Sequence, residues 1–186
     1  MRVYLARHGE TEWTLSSQHT GRTDIPLTEN GRRQAAELRG LFAERPVERV
    51  YTSPLSRAVE SAALAGFEDA HKTDELLEFD YGEYEGVTTA DIRGEHPDWY
   101  LWRDGSPGGE TPADVAARVG ALIDRLRSDG VDTVLFSHGH VLRALAARWL
   151  GLGPEAGGLF ALETATLSTL GYERDVPVMW AWNLRA

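Results

Sequence analysis

The stretch 131-VDTVLFSHGHVLRALAARWLG-151 places a strand pattern directly before a helix pattern, with a short polar turn between them. The run 131–137 is apolar almost throughout, which is typical of a parallel strand that helices cover on both faces. The run that follows predicts a helix with one apolar stripe. The stripe consists of Leu142, Leu145, Ala146 and Trp149. A buried strand followed by a helix is the basic unit of an α/β fold.

The same alternation continues outward along the chain. Strands are predicted at 3–6 and 48–52, helices begin near Thr28, Pro54 and Thr111, and β-rich runs close the chain at 166–173 and 176–183. This order predicts an α/β sandwich around a mostly parallel sheet, with one antiparallel edge strand from the closing pair. Residues 67–110 are less regular and rich in acidic and aromatic residues.

Composition limits the classes of function. The chain has 186 residues, 42% hydrophobic and 26% charged, so we expect one domain spanning 1–186. The formal net charge of −10 disfavours nucleic acid and anionic membranes as partners. The sequence contains no cysteine, no apolar run near 18 residues in length and no signal-like N-terminus, so we expect a cytoplasmic protein. The oligomeric state is left open.

Three predicted strand-to-helix junctions carry unusual polar residues. The first strand ends in Arg7-His8-Gly9, the second in Ser53-Pro54 with Arg57 in the next helical turn, and the third in 137-SHGH-140. Because ligands of parallel α/β sheets bind beyond the carboxyl ends of the strands, these residues are predicted to meet at one sheet edge. A single histidine or arginine of this kind is usually structural, but core packing does not require three such junctions.

These residue types suit a tetrahedral oxyanion. Two arginines provide bidentate donors, and a helix beginning near Gly139 presents free N–H groups. One neutral imidazole can attack phosphorus while the other stabilises the equatorial oxygens. A carboxylic acid is then needed for the leaving group. The candidates are Glu78, Asp80, Glu83 and Glu85, and their spacing alone does not choose among them.

Five separated blocks resemble the histidine phosphatase superfamily, also called the phosphoglycerate-mutase-like family. They are RHGETEW (7–13), TGRTDIPLTENGRRQA (20–35), SPLSRAVESA (53–62), LLEFDYGEYEG (76–86) and FSHGHVLRALAARWLGLG (136–153), in the family's order. The resemblance implies a three-layer α/β/α fold, a phosphohistidine intermediate and no metal or organic cofactor. It also implies that 67–110 covers the active site.

The resemblance also implies roles for individual residues. His8 corresponds to the nucleophile, Arg7 and Arg57 to phosphate ligands, His138 to the imidazole that steadies the transferring group, and Glu78 to the proton donor. Substrate-side positions correspond to Thr14, Thr20, Gly21, Tyr81, Gly139 and His140.

Two departures from the family pattern bear on function. Thr14 stands where many members have asparagine. The segment after the glutamate block has no adjacent pair of basic residues, which favours a phosphatase over a mutase. EYEG, WRDG and HGHVLR most resemble the branch of acid phosphatases and sedoheptulose-1,7-bisphosphatases. A phosphoglycerate mutase, a metal-dependent hydrolase using the His138–His140 spacing and a non-catalytic phospholigand-binding module remain alternatives.

Overall fold

The predicted strands form a six-stranded sheet in the computed structural model, which describes residues 1–186. The strands are β1 (Val3–Arg7), β2 (Arg49–Thr52), β3 (His71–Lys72), β4 (Thr133–Ser137), β5 (Leu167–Glu173) and β6 (Val176–Leu184). Their order in the sheet is β3-β2-β4-β1-β5-β6. The pairs β2–β3, β2–β4 and β1–β4 are parallel, and β5 runs antiparallel to both β1 and β6.

Helices cover both faces of this sheet. They are α1 (Glu12–Leu15), α2 (Glu29–Phe42), α3 (Ser56–Leu64), α4 (Thr89–Glu95), α5 (Leu101–Asp104), α6 (Pro112–Asp129) and α7 (Gly139–Trp149). Short 3-10 helices lie at Asp74–Leu76, Gly82–Tyr84 and Pro154–Leu159. The predicted fold class, a three-layer α/β/α sandwich around a mostly parallel sheet, is therefore confirmed.

Alternating side chains of β1 and β4 build two cores. Tyr4 and Phe136 face α2 and α3 in a cluster of 10 buried residues, whereas Leu5 and Leu135 face α6 and α7 in a cluster of 23. The larger core therefore supports α7, the helix that begins at the predicted site.

Helix ends largely follow the sequence signals. The side chain of Thr28 accepts the Gly31 N–H at 2.9 Å to cap α2, and Thr111 forms a capping box with Asp114 at the start of α6. The start of α3 differs from the prediction, because Leu55 is extended and the helix begins at Ser56, not at Pro54. None of the helices combines the length and the apolar character needed to cross a membrane.

Residues 67–110 attach to the carboxyl end of the sheet. The Ser137 hydroxyl donates to the Leu76 carbonyl at 2.6 Å, which fixes the chain immediately before Glu78. Trp99 and Trp102 are buried in the larger core, as expected if they pack a short helix onto the body of the protein. Its place in the β-rich run 176–183 predicts that Trp180 lies in the core. This prediction is wrong, because Trp180 is 50% exposed on β6, an edge strand, with the Arg2 guanidinium over its ring.

Candidate active site

The sheet register brings the first and third junctions together. Arg7 pairs with Ser137 in the parallel β1–β4 ladder, and the His8 N–H continues it by donating to the Ser137 carbonyl at 3.0 Å. The rings of His8 and His138 therefore lie side by side, with centroids 5.1 Å apart. The two histidines that the sequence placed at one edge are direct neighbours.

One ring nitrogen of His8 is hydrogen-bonded within the protein, and the other is free. Its Nδ1 lies 2.7 Å from the Gly9 carbonyl oxygen, which can only accept, so Nδ1 carries the proton and Nε2 keeps its lone pair. Burial lowers the pKa of His8 well below its usual value, and the charges of Arg57 and Arg7 lower it further. The imidazole is therefore neutral at pH 7, the form in which Nε2 is a nucleophile.

Arg7 lies beside His8 on the floor of a cavity of about 290 Å³. One guanidinium nitrogen donates to the Leu162 carbonyl, while Nε is buried without a partner in the protein. An added Cβ on Gly139 would lie 3.2 Å from the Arg7 Cζ, so the glycine allows α7 to approach the guanidinium closely. Because Arg7 lines the cavity, its guanidinium is the cation that an anion bound there would meet.

Arg57 and His138 lie behind this floor and are fully buried. Arg57 donates from Nε to His138 Nδ1 at 3.1 Å and from its terminal nitrogens to three main-chain carbonyls. The carbonyls belong to Thr23 (2.9 Å), Gly21 (2.9 Å) and Thr20 (3.2 Å). Because Nδ1 accepts, His138 carries its proton on Nε2, which donates to the Ser53 hydroxyl at 2.8 Å. Burial, followed by Arg57, lowers the pKa of His138 well below its usual value.

Glu78 is held by the N-terminus of α7. Its Oε1 accepts the N–H groups of Val141 at 2.8 Å and Phe79 at 3.0 Å, whereas Oε2 accepts only the His140 N–H at 2.9 Å. Glu78 also lines the cavity, so Oε2 is the oxygen with a free lone pair on the side of a ligand. The structure thus distinguishes Glu78 from Asp80, whose Oδ1 accepts the Gly82 N–H at 3.0 Å outside the cavity.

Tyr81 and His140 form one wall of the cavity. The Tyr81 hydroxyl lies 2.6 Å from His140 Nδ1, and that nitrogen is 4.0 Å from Glu78 Oε2. Burial raises the pKa of Tyr81 well above its usual value, and burial together with Arg143 lowers that of His140. Both side chains are therefore neutral near pH 7.

The other predicted substrate-side residues have different surroundings. Thr14 and Thr20 line the cavity. Gly21 lies behind it, where its N–H donates to Glu85 at 2.8 Å and its carbonyl accepts from Arg57. Gly21 therefore helps to hold the Arg57 guanidinium through its main-chain carbonyl.

Five further residues line the cavity that the sequence did not indicate: Trp13, Ser17, Gln18, His19 and Thr89. The sequence around His19 predicts only an ordinary surface or loop residue. This prediction is wrong, because His19 is buried at 8% exposure, with Nε2 3.2 Å from the Thr89 hydroxyl. Burial lowers its pKa to about 4. The only feature of the sequence that could have placed His19 in the site is its position directly before Thr20-Gly21, two predicted substrate-side residues.

The metal-site interpretation has little support in the geometry. Both ring nitrogens of His138 are hydrogen-bonded, to Arg57 and Ser53, and His140 Nδ1 contacts Tyr81. No group of three or more His, Cys, Asp or Glu side chains is arranged as a metal-binding cluster.

Comparison with known families decides the classification. Residues 3–185 match the model of the histidine phosphatase superfamily (branch 1). The chain belongs to this superfamily. Relatives of this chain include proteins named as phosphatases and proteins named as probable phosphoglycerate mutases. The family therefore includes the phosphoryl chemistry that the neutral His8, the Arg7 guanidinium and Glu78 suggest.

Individual relatives agree with the phosphatase branch. The chain is 40% identical to an acid phosphatase of Mycobacterium tuberculosis, over 94% of this chain and 88% of that protein. It is 36% identical to a sedoheptulose 1,7-bisphosphatase of Saccharomyces cerevisiae, over 82% of this chain and 68% of that protein. The solved structure of the Rv3214 product of M. tuberculosis superimposes with a TM-score of 0.95 at 38% identity, covering 99% of this chain and 97% of that one.

Proposed function

We propose that this phosphatase hydrolyses small phosphate monoesters, sugar phosphates among them, through a phosphohistidine on His8 and without a metal ion. The observation that carries the proposal is the state of His8. It is a buried, neutral imidazole whose Nδ1 proton is held by the Gly9 carbonyl, so that Nε2 is free beside Arg7. The names of relatives that act on sugar phosphates support the substrate class.

In the first step His8 Nε2 attacks phosphorus, an N–P bond forms and the ester P–O bond breaks. The Arg7 guanidinium, which lines the cavity, donates to an equatorial oxygen. From behind the floor, Arg57 contributes positive charge, and the neutral His138 contributes a hydrogen-bonded ring of fixed orientation. Glu78 gives its proton from Oε2 to the leaving oxygen, so the alcohol departs neutral.

In the second step the Glu78 carboxylate takes a proton from water, whose oxygen attacks the phosphorus of phospho-His8. The N–P bond breaks, inorganic phosphate is released and Glu78 is protonated again. The main-chain donors of His140, Val141 and Phe79 hold the carboxyl in one orientation through both steps.

The test uses His8→Ala with a ³²P-labelled phosphate ester and rapid quenching under alkaline conditions, which preserve phosphohistidine. We expect the variant to lose labelling and turnover while circular dichroism shows an intact fold. The matched control is His71→Ala, because His71 is exposed on β3. Normal labelling of His8→Ala would refute the proposal.

Two further assays separate the alternatives. Isomerisation of phosphoglycerate that depends on a bisphosphoglycerate primer would indicate a mutase, in which the phosphoryl group returns from His8 to a bound intermediate. Loss of activity in EDTA, restored by a divalent cation, would indicate a metal-dependent hydrolase. A null result with every phosphate ester would favour a binding module.

The same proposal includes the organisation and location predicted from the sequence. The chain acts as one domain, 1–186, on a small phosphorylated substrate in the cytoplasm, without nucleic acid or membrane as partner. Cell fractionation with a tagged chain tests the location, and limited proteolysis tests the single domain.

A further inference from the structure

Positive charge in the active-site cavity is confined to one end. Arg7 and His8 form the floor, and Arg7 is the only lysine or arginine among the twelve lining residues. The remaining lining residues other than Glu78 are polar or aromatic and uncharged: Trp13, Thr14, Ser17, Gln18, His19, Thr20, Tyr81, Thr89 and His140. A bound phosphoryl group would meet its cations at the floor, and the rest of the substrate would meet none.

The two other histidines that line the cavity, His19 and His140, add no positive charge near pH 7. Burial lowers the pKa of His19 to about 4, and burial with Arg143 lowers that of His140 well below its usual value. Each ring is also in contact with a hydroxyl, His19 with Thr89 at 3.2 Å and His140 with Tyr81 at 2.6 Å. Both therefore act as neutral hydrogen-bonding groups.

Two other arginines, Arg22 and Arg143, do not line the cavity. Arg22 lies 3.8 Å from Asp80 and 3.7 Å from Glu110, and neither it nor its partners line the cavity. Arg143 donates to the Gly157 carbonyl at 2.9 Å and lies over the ring of Trp102. A second phosphate or a carboxylate in the cavity would have to give up its hydration without meeting either cation.

The wall instead suits an alcohol that carries several hydroxyl groups. Ser17 and Thr89 bring hydroxyls to it, and the Thr20 hydroxyl, which donates to the Gln18 carbonyl at 3.1 Å, still has a lone pair to accept with. The Thr14 hydroxyl and the Gln18 amide also line the cavity but are hydrogen-bonded within the protein. Trp13 adds an aromatic surface that packs closely against Gly86, where an added Cβ would lie 3.0 Å from the indole. Donors and acceptors of this kind, beside an aromatic ring, are typical of sites for sugars and other polyols.

We infer that the cavity selects monophosphate esters of uncharged polyhydroxy alcohols and discriminates against substrates with a second phosphate or a carboxylate. The inference rests on the proposed function. It adds that the leaving alcohol of a good substrate carries no charged group. It differs from the activities in the names of two relatives, the yeast bisphosphatase and a glucosyl-3-phosphoglycerate phosphatase, whose substrates carry a second phosphate and a carboxylate.

Arg93, in a neighbouring cavity, is the cation that would contradict this inference if a substrate reached it. Ser17 and Thr89 also line an adjoining outer cavity of about 500 Å³, and Arg93 lies in that outer cavity. Arg93 Nε donates to the Trp99 carbonyl at 3.0 Å, which leaves its terminal nitrogens for other partners. If a long bisphosphate used the outer cavity, Arg93 would be the cation that it reaches.

The first experiment compares kcat/KM at pH 7 and fixed ionic strength for matched esters. Glucose 6-phosphate and ribose 5-phosphate represent neutral leaving groups, and fructose 1,6-bisphosphate and 3-phosphoglycerate represent charged ones. We expect the sugar monophosphates to exceed both charged substrates by about tenfold or more, which corresponds to about 1.4 kcal/mol. Equal or higher kcat/KM for the bisphosphate, lost again in Arg93→Gln, would overturn the inference.

The second experiment introduces a positive charge into the part of the cavity that has none. Ser17→Arg introduces a guanidinium at an exposed position shared by both cavities, and Ser128→Arg makes the same change of net charge on the exposed surface of α6. We expect Ser17→Arg to raise the kcat/KM ratio of fructose 1,6-bisphosphate to glucose 6-phosphate about tenfold, and Ser128→Arg to leave it unchanged. An unchanged ratio in Ser17→Arg would count against a charge-selective wall.

p-Nitrophenyl phosphate separates failure of the inference from failure of the proposed function. Activity on this ester, with His8-dependent labelling but a preference for charged leaving groups, would refute only the inference. Absence of labelling and of activity on every ester would refute the proposed function, and the inference with it.

Discussion

The floor and the wall of the cavity are constructed differently. On the floor side, His8 and the two residues behind it, Arg57 and His138, are at most 3% exposed, and nearly all their polar atoms have partners within the protein. The wall residues Trp13 and Ser17 come from a four-residue helix and the turn after it, and they are half-buried or exposed. A rigid charged floor therefore adjoins a more accessible neutral wall.

This difference separates catalysis from selection. Substitutions in the floor break hydrogen bonds that are inaccessible to water, so they should reduce both the rate and the stability. Substitutions in the wall leave those hydrogen bonds intact, so they should change which leaving group is accepted. The following predictions test this division, beginning with the largest expected effect.

Arg57→Met should cause the largest loss. It would leave His138 Nδ1 and three main-chain carbonyls without their donor, in a region that solvent does not reach. We expect kcat to fall by about 10²–10³-fold and the free energy of unfolding to fall by roughly 3 kcal/mol or more. Steady-state kinetics and urea unfolding measure the two effects.

Arg57→Lys is the matched variant, because it keeps the charge but cannot serve four acceptors at once. We expect a kcat loss close to that of Arg57→Met with a smaller loss of stability. Full activity in Arg57→Lys would mean that charge alone is needed and that the hydrogen-bonded arrangement has no catalytic role.

Acid should destabilise the fold through its buried histidines. His19 has a folded-state pKa of about 4 against 6.5 for the unfolded chain, so between these values the unfolded state binds a proton that the folded state does not. Its stabilisation is complete above pH 6.5 and is lost as the pH falls toward 4, about 3 kcal/mol in all. Burial shifts His8, His138 and His140 in the same direction.

Urea unfolding between pH 7.5 and pH 4.5 measures this dependence. His19→Asn should make the slope of unfolding free energy against pH shallower in this range, and His71→Asn, at an exposed position on β3, should not. An identical slope in His19→Asn and the wild type would show that His19 is protonated in the fold.

The same division explains what the sequence could predict. His8, Arg57 and His138 were predictable because each follows a strand, and the carboxyl ends of parallel strands necessarily share an edge. Glu78 needed the family resemblance, because its selection over Asp80 depends on the N–H groups of α7, 62 and 63 residues away. His19 was missed because its burial depends on contacts with Tyr81 and Thr89 from the irregular segment.

Ser53→Ala tests whether orientation of His138 matters within the floor. The Ser53 hydroxyl accepts the Nε2–H of His138 at 2.8 Å and is fully buried, so the substitution leaves that donor unpaired. We expect kcat to fall about tenfold with KM nearly unchanged, because an oriented ring serves the transition state more than substrate binding. The pH profile of kcat should also shift, since the hydrogen bond that selects the tautomer is lost.

Ser168→Ala is the control for stability alone. Ser168 is fully buried on β5 and accepts the Asn183 N–H at 3.0 Å, away from the cavity. Both variants should lose roughly 1 kcal/mol of unfolding free energy, and only Ser53→Ala should lose kcat. Equal kcat values in the two variants would remove Ser53 from the positioning of His138.

Thr14→Asn should have the smallest effect, and it tests the wall. The Thr14 hydroxyl accepts the Thr11 N–H at 2.9 Å and donates to the Thr11 carbonyl at 2.8 Å, so it is occupied in the capping box of α1. Asparagine can replace part of this capping and still face the cavity, so we expect KM to change less than about threefold and the unfolding free energy by less than about 1 kcal/mol. Thr14→Ala, which removes the Thr14 half of the capping box, should raise KM more for sugar monophosphates than for p-nitrophenyl phosphate. A large fall in kcat for Thr14→Asn would place this wall residue with the catalytic floor, and the separation between the two regions would fail.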